Sequence, residues 1–414
     1  LKIALTFTLH KSKERKMTHI TKFTRRDFLK VTGAAAMGSI IAPMDASADS
    51  PDETVSMPMR PFGNTGVDVP ILSLGGSLDL PQLILKSAFN WGVTYWDMAH
   101  SYMGGNSEKS IGKYLLKFPA DRQKIFLVTK SYAWTLTEMT EELDQSLARM
   151  KTDYVDLFFV HGIGSIDELS NDMKFWAEKT KAAGKFRFFG FSTHSNMEAC
   201  MLAASKLGWI DGIMMSYNYR LMHTDPMKRA VDACLKAGIG LTAMKTQGGS
   251  SFETNTETEL KLARRFLKKG YTDAQAKLKA VWENPDIASV CSEMPNMTIL
   301  MENVAAALNR TRLSARDTQA LHQYAQNTRS DYCTGCANIC ESTFNGRIPI
   351  SDVMRFLMYW RSYADFDRAA KKFNKIPENI RHQMAELDYS QAEQNCPQNM
   401  PIGKLIEEAI KELS

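Results

Sequence analysis

The sequence predicts an α/β fold: a (β/α)8 TIM barrel with an N-terminal β-hairpin and a C-terminal helical module that carries cysteines. Three observations carry this expectation. Eight short β-rich runs each lead into a polar loop and a helix-period segment, and together they fill about 240 residues, the length eight crossover units of about 30 residues need. No Gly-x-Gly-x-x-Gly turn follows the first strand, which argues against a doubly wound open sheet. Beyond residue 311 the strands stop, helices continue, and four of the seven cysteines fall in that stretch.

The elements follow in order. Arg60–Pro70 contains Gly-Asn-Thr-Gly, a hairpin signal placed to plug the bottom of a barrel. Strands are expected at Ile71–Gly75, Thr94–Met98, Ile125–Lys130, Asp156–His161, Phe186–Thr193, Gly212–Tyr217, Gly240–Lys245 and Ile287–Cys291. Leu136–Met150 and Asn196–Leu207 have helical periodicity, as do Leu313–Gln326 and Ser351–Lys372 in the tail. The last helix puts Leu405, Ile406, Ala409, Ile410 and Leu413 on one face and its charges on the other. An aromatic and basic stripe of Phe356, Tyr359, Trp360, Arg361 and Tyr363 reads as packing against the barrel or the cysteine segment. The chain thus divides into a leader (1–48), a linker (49–57), the barrel (58–310) and the helical module (311–414).

Hydrophobic content of 44% and charged content of 23% are those of an ordinary globular protein. The formal charge of +5 sits in the leader: residues 1–48 hold nine Lys or Arg against three acids, and the remainder carries −1. Nucleic-acid binding is therefore not expected. The leader reads Thr24-Arg25-Arg26-Asp27-Phe28-Leu29-Lys30, then an apolar Val31–Met44, then Ala46-Ser47-Ala48. It resembles a twin-arginine export signal, an address read by the export machinery and cleaved near Ala48. The apolar run is shorter than the ~20 residues that span a bilayer, and no cysteine lies near the cleavage site. The expected location is the bacterial periplasm, with no stable membrane anchor. Residues 1–16 precede Met17 and add nothing to the signal.

Side chains at the C-terminal ends of barrel strands point into the active site. Asp97 closes the second strand, with Tyr102 five residues on in the loop, and Lys130 and His161 end the next two. A lysine capping an apolar strand implies a partner, because burying an unpaired ammonium costs several kcal/mol. Carbonyl reduction supplies a chemistry for the group. It needs a proton donor at the forming alkoxide; a lysine beside a tyrosine shifts the phenol toward neutrality, an aspartate orients the lysine, and a histidine positions the carbonyl.

The stretch Asp97-Met98-Ala99-His100-Ser101-Tyr102, then Gly105-Asn106-Ser107-Glu108 and Gly112, resembles the signature of the aldo-keto reductase superfamily. Val128-Thr129-Lys130, Asp153–His161, Gly190–His194 and Tyr217-Asn218 extend the resemblance over roughly Met59 to Arg310. It implies a nicotinamide-linked oxidoreductase acting on a small carbonyl or alcohol substrate. Tyr102 would be the general acid, Lys130 its modulator, Asp97 the lysine's partner and His161 the substrate-orienting residue. It further implies that Ser192, Thr193, Tyr217, Lys245, Ser292 and Asn303 bind NAD(P). Two departures lie on the cofactor side. Met214 stands where the family has a glutamine that contacts the nicotinamide amide. Glu293 stands in the loop that is often basic near the 2′-phosphate, and its charge disfavours NADP.

The tail holds Cys333-Thr-Gly-Cys336-Ala-Asn-Ile-Cys340 and a remote Cys396-Pro397. A close group with a distant Cys-Pro resembles bacterial-type ferredoxin segments, with x2 then x3 in place of x2 then x2. The resemblance implies one [4Fe-4S] cluster on Cys333, Cys336, Cys340 and Cys396, for electron relay to a redox partner or for structure. Structural zinc and two disulfides remain alternatives. Cys200, Cys234 and Cys291 read as buried thiols. The alternative function is a non-catalytic binding protein on a retained barrel with a structural metal site. A further enzyme variant carries its nucleotide out with the folded protein.

Overall fold

The computed structural model describes residues 56–249 and 257–414. The expected leader and most of the expected linker lie outside these described residues. Strands β1 (Met59–Pro61) and β2 (Asp68–Pro70) form an antiparallel hairpin. Eight parallel strands then close a barrel in sequence order: β3 (Leu72–Gly75), β4 (Tyr95–Asp97), β5 (Phe126–Ser131), β6 (Val155–His161), β7 (Phe186–Thr193), β8 (Gly212–Ser216), β9 (Gly240–Met244) and β10 (Ser289–Glu293), which pairs back onto β3. Each lies within two residues of the strand expected from sequence.

The hairpin turn supplies the plug. Phe62 is fully buried, with ring centroids 6.4 Å from Tyr95 and 5.4 Å from Phe126. A Cβ on Gly212 or Gly240, at the starts of β8 and β9, would stand 2.8 Å and 2.6 Å from that ring. Glycine at both positions therefore makes the room that Phe62 fills. Above it Tyr95, Val128, Leu157, Phe159 and Met214 pack in one interior cluster. Side chains alternate along a strand with a period of two. The inward series Tyr95–Asp97, Phe126–Val128–Lys130 and Leu157–Phe159–His161 thus runs from apolar bottom to polar mouth. The outward residues Trp96, Leu127, Phe158 and Phe189 instead join the larger core between strands and helices.

The helix expected over Leu136–Met150 has those limits, set by a reciprocal capping box between Thr135 and Glu138. The single tail helix expected over Ser351–Lys372 is two helices, Ile350–Tyr363 and Phe366–Phe373. Ala364 breaks the first in a left-handed conformation (φ 53°), and the Asp365 carboxylate accepts from the Arg368 amide to start the second. The Ala315–Asn327 helix shares an apolar cluster with Leu262 and Phe266 of the Glu257–Leu267 helix and with Tyr271 of the turn that follows it. Residues from Cys340 onward build a separate one around Val353, Leu357, Phe373, Leu405 and Leu413. The apolar clusters thus change after the Ala315–Asn327 helix, and residues 56–414 form one compact unit. Among the described residues no helix is long and apolar enough to cross a membrane.

Candidate active site

Asp97 and Lys130 meet at the barrel mouth. The Lys130 ammonium donates to both carboxylate oxygens of Asp97 at 2.6 Å and to the Met98 carbonyl at 2.8 Å. The side chains are 1% and 3% exposed. An ammonium has three donors, so none remains for Tyr102. Lys130 Nζ lies 5.1 Å from the Tyr102 ring centroid, a cation–π approach rather than a hydrogen bond. Burial, followed by the Asp97 charge, raises the Tyr102 phenol well above its ordinary range. This is opposite to the lowering expected from a lysine beside the hydroxyl, because burial dominates and the ammonium is engaged by Asp97. Burial also raises Asp97, against the pull of Lys130.

His161 presents its ring edge-on to Tyr102, with centroids 5.6 Å apart, and stacks on Tyr132 at 3.7 Å. Its Nδ1 is buried without a hydrogen-bond partner. Burial, then the Lys130 charge, lowers its pKa well below the ordinary value, so the imidazole is neutral. A neutral ring with an unpartnered nitrogen beside a phenol can orient a substrate oxygen. Tyr102, Lys130, Asp97 and His161 are thus gathered at one mouth. The loop carrying Tyr102 is held by the residues after it. The Ser107 hydroxyl donates to the Gly76 carbonyl at 2.5 Å. The buried Glu108 carboxylate accepts from Thr129 at 2.7 Å and Arg149 at 3.1 Å, and Arg149 also reaches the His100 carbonyl at 3.0 Å.

The six residues expected to bind nucleotide divide. Lys245 and Ser292 line the mouth cavity, a space of about 250 Å³ shared with Asp97, Tyr102, Met214 and Tyr359. Asn303 stands behind Ser292 and donates to its hydroxyl at 3.0 Å. Ser192 and Thr193 do not line that cavity. The Ser192 hydroxyl accepts from the Gly162 amide at 3.0 Å, and the Thr193 hydroxyl donates to the Ile163 carbonyl at 2.8 Å. Tyr217 is buried in the outer core, where its hydroxyl accepts from Asn284 at 2.9 Å. Tyr217 follows the last residue of β8 and packs on the outer side, so it cannot stack on a ligand in the mouth.

Sequence reasoning missed the module's share of the site. Tyr359, Tyr363 and Arg368 line the mouth cavity, whereas the stripe containing Tyr359 and Tyr363 was expected only to pack. Helical periodicity shows which residues share a face and not what that face meets. Cys291, expected as a buried thiol, also lines the cavity, with its sulfur 3.7 Å from an Asp97 oxygen. Burial and the Asp97 charge push its pKa well up, so it stands there as a neutral thiol.

Cys333, Cys336, Cys340 and Cys396 line one small cavity, with Ile339, Met354 and Pro397 among its walls. All four are free thiols. Burial raises Cys333 to about 12, with further upward pushes from Cys336 and Cys396. Among the described residues no three His, Cys, Asp or Glu side chains close on a point that a single metal ion would occupy. The cysteine loop is docked on the barrel. The Gly335 carbonyl accepts from the Asn196 amide at 2.7 Å, and the Asn338 amide donates to Asn196 Oδ1 at 2.9 Å. Gly335 adopts φ 81°, and a Cβ there would fall on the His194 carbonyl oxygen.

A closed eight-stranded α/β barrel with a buried Lys–Asp pair, a phenol and a neutral imidazole at its C-terminal mouth defines an oxidoreductase-type barrel site. The Aldo/keto reductase family profile matches residues 79–317, and the chain belongs to that family. It is 25% identical over 279 residues to L-galactose dehydrogenase of Arabidopsis thaliana, covering 60% of this chain and 87% of that one. An aldo-keto reductase of Fusarium vanettenii is 28% identical over 229 residues, which is 44% of this chain and 62% of the relative, so less than two thirds of that protein is spanned. Among solved structures, aldo-keto reductase AKR11C1 from Bacillus halodurans in its holo form superposes with a TM-score of 0.55 at 24% identity. That match covers 65% of this chain and 96% of the other. At that identity the likeness speaks for the fold.

Proposed function

We propose that the protein interconverts a small carbonyl compound and its alcohol with a nicotinamide cofactor, and that its tail holds one [4Fe-4S] cluster. The observation that carries the first part is the buried Asp97–Lys130 pair beside Tyr102 and His161. A bound nicotinamide supplies the hydride to the carbonyl carbon. Tyr102, held protonated by its raised pKa, gives its proton to the carbonyl oxygen as the alcohol forms. The Lys130 ammonium, fixed by Asp97, stabilises the phenolate that remains, and His161 holds the substrate oxygen in line. Lys245 and Ser292 are the residues of this chain best placed for the nucleotide. The Glu293 carboxylate on the same rim disfavours a 2′-phosphate, so NADH is the expected donor.

The cluster reading is supported by four free thiols around one cavity, Cys340 and Cys396 buried and Cys333 and Cys336 partly so. Structural zinc is the competing occupant of the same four thiols. A bound cluster supplies one-electron transfer or bracing. Relay is favoured by shared walls: Cys333 also lines a cavity with His194, Arg355 and Lys245, and Lys245 lines the mouth. Export by the twin-arginine route into the periplasm is part of the same proposal, resting on the Arg25-Arg26 leader.

The test is carbonyl reduction by anaerobically purified, iron-loaded protein with NADH and NADPH. Tyr102→Phe is expected to lose about 100-fold or more in kcat; unchanged activity would remove Tyr102 from the chemistry. A second reading, a binding protein without nucleotide, is favoured by one observation: helices of the tail cover the mouth through Tyr359, Tyr363 and Arg368. Absence of NADH and NADPH binding in folded, nucleotide-free protein would select it.

A further inference from the structure

The tail brings a concentration of positive charge to the mouth that proton transfer by the tetrad does not use. Arg355 on the Ile350–Tyr363 helix, Arg368 and Lys372 on the Phe366–Phe373 helix, and Lys245 just past β9 all bear on Tyr359. Lys245 Nζ lies 3.4 Å from the Tyr359 hydroxyl and 5.1 Å from its ring centroid. The Arg368 guanidinium is 4.4 Å from the same centroid. Lys245, Arg368 and Tyr359 share the mouth cavity with Asp97 and Tyr102.

Negative charge does not match this. Arg355 pairs with Asp352, and Arg368 with Glu293 at 3.6 Å and Asp365 at 4.0 Å. Those carboxylates are 45%, 40% and 41% exposed; Glu293 stands on the cavity wall, where it already pairs with Arg368, and Asp352 and Asp365 are not part of the cavity lining. Among the described residues Lys245 and Lys372 have no carboxylate partner, and Asp97 is already neutralised by Lys130. The electrostatic response agrees with the geometry. Burial raises the Tyr359 phenol, yet Lys245, Arg355, Arg368 and Lys372 outweigh burial and bring it down to about 7. Lys245 is lowered, first by burial and then by Arg355 and Arg368 against the pull of Tyr359. Leaving ammonium groups desolvated without a counter-ion costs several kcal/mol. A site that bears this cost is short of one negative group, which a ligand can bring.

We propose that the substrate reduced or oxidised here carries an oxyanion, a carboxylate or phosphate, held by Arg368 and the Tyr359 hydroxyl in the field of Lys245, Arg355 and Lys372. This places the substrate's neutral carbonyl end toward Tyr102 and makes an oxo acid or a phosphorylated carbonyl the fitting class. The inference rests on the reductase reading for the word substrate, but the anion site is tested by binding alone.

The probe is oxalate, titrated calorimetrically into iron-loaded full-length protein, with and without saturating ADP-ribose, which carries the cofactor's diphosphate and no nicotinamide. Oxalate is expected to bind, to bind in the presence of ADP-ribose, and to weaken at least tenfold in Arg368→Gln and in Lys372→Gln. Lys372→Arg should restore affinity, and near-UV circular dichroism identifies any variant that misfolds. No binding, or binding unchanged in both Gln variants, overturns the proposal. Displacement of oxalate by ADP-ribose also overturns it, because the cations would then serve the cofactor's phosphates. Failure of the reductase reading shows separately, as unchanged kcat in Tyr102→Phe.

Discussion

Replacing Lys130 by methionine tests whether the pair at the mouth is the organising electrostatic feature of the site. The lysine makes three hydrogen bonds, two to Asp97 at 2.6 Å and one to the Met98 carbonyl at 2.8 Å. Both side chains are almost completely buried. In Lys130→Met the Asp97 carboxylate keeps only the Cys291 thiol at 3.7 Å, and breaking a buried pair on one side costs about 3–5 kcal/mol. The described unit runs from residue 56 to 414. At about 2.1 cal/mol/K of unfolding entropy per residue, roughly 360 residues give about 0.75 kcal/mol/K, so the expected fall in Tm is about 4–7 °C. The assay is calorimetric or circular-dichroism melting of wild type, Lys130→Met and the double variant Asp97→Asn/Lys130→Met. The double variant should recover most of the loss, because it removes the stranded charge along with its partner. Equal losses in the single and double variants would refute the argument that stranded charge sets the cost. Neither variant should retain carbonyl-reductase activity.

Other consequences are testable in the same protein. Phe62→Ala empties the barrel bottom and should cost about 3–5 kcal/mol by chemical denaturation, with kcat per folded molecule unchanged because the plug lies at the opposite end from Tyr102. Asp317 is buried, which would raise its carboxyl, but hydrogen bonds from Lys269, Ser314 and Arg265 outweigh burial and hold it at about 2. A depressed folded-state pKa stabilises above the unfolded value of about 3.9 and loses that contribution as pH falls toward the folded value. Stability measured between pH 4 and about 2 should therefore fall in wild type and be flatter in Asp317→Asn, which starts about 1.5–3 kcal/mol lower at neutral pH. Gly335→Ala cannot keep φ 81° without meeting the His194 carbonyl, so the Asn196 amide, which donates to Gly335, should exchange its hydrogen faster; unchanged protection would mean the loop docks by other contacts.

The barrel was legible because its determinants are local. Each strand's alternation declares an inward face, and Asp97, Lys130 and His161 continue the inward series begun by Tyr95, Phe126 and Leu157. Tyr217 was assigned to the nucleotide by the family resemblance alone, whereas alternation from inward Met214 turns it to the outer side, where it packs with Ile213 and Met215. Ser192 and Thr193 were placed on the right strand, but their hydroxyls are taken by Gly162 and Ile163, contacts made across a loop that no spacing rule reveals. Tyr359 and Arg368 escaped for a larger reason. Residues more than 200 positions beyond Tyr102 share its cavity, and a helical stripe reads alike whether it covers a core or an active site. The break at Ala364, which aims Arg368 at the mouth, needs a left-handed alanine that no propensity favours.

Relay and bracing by the cysteine cavity can be separated by asking what else holds the tail together. Val353, Leu357, Phe373, Leu405 and Leu413 are fully buried in the tail's own cluster, and each such side chain contributes about 1.5–3 kcal/mol by leaving water. Cys340 and Cys396 lie at the edge of this cluster, while Cys333 faces the cavity that continues to Lys245. Removing Cys333 and Cys336 together therefore deletes two thiols and leaves the apolar core and the Arg361–Glu408 pair in place. The expected result for Cys333→Ala/Cys336→Ala is native far-UV circular dichroism, iron content near zero, and loss of the visible absorbance that reduced viologen bleaches one electron at a time in the wild type. Collapse of the helical signal with the iron would refute this, and would assign the four thiols a bracing role on which the Tyr359 and Arg368 side of the mouth depends.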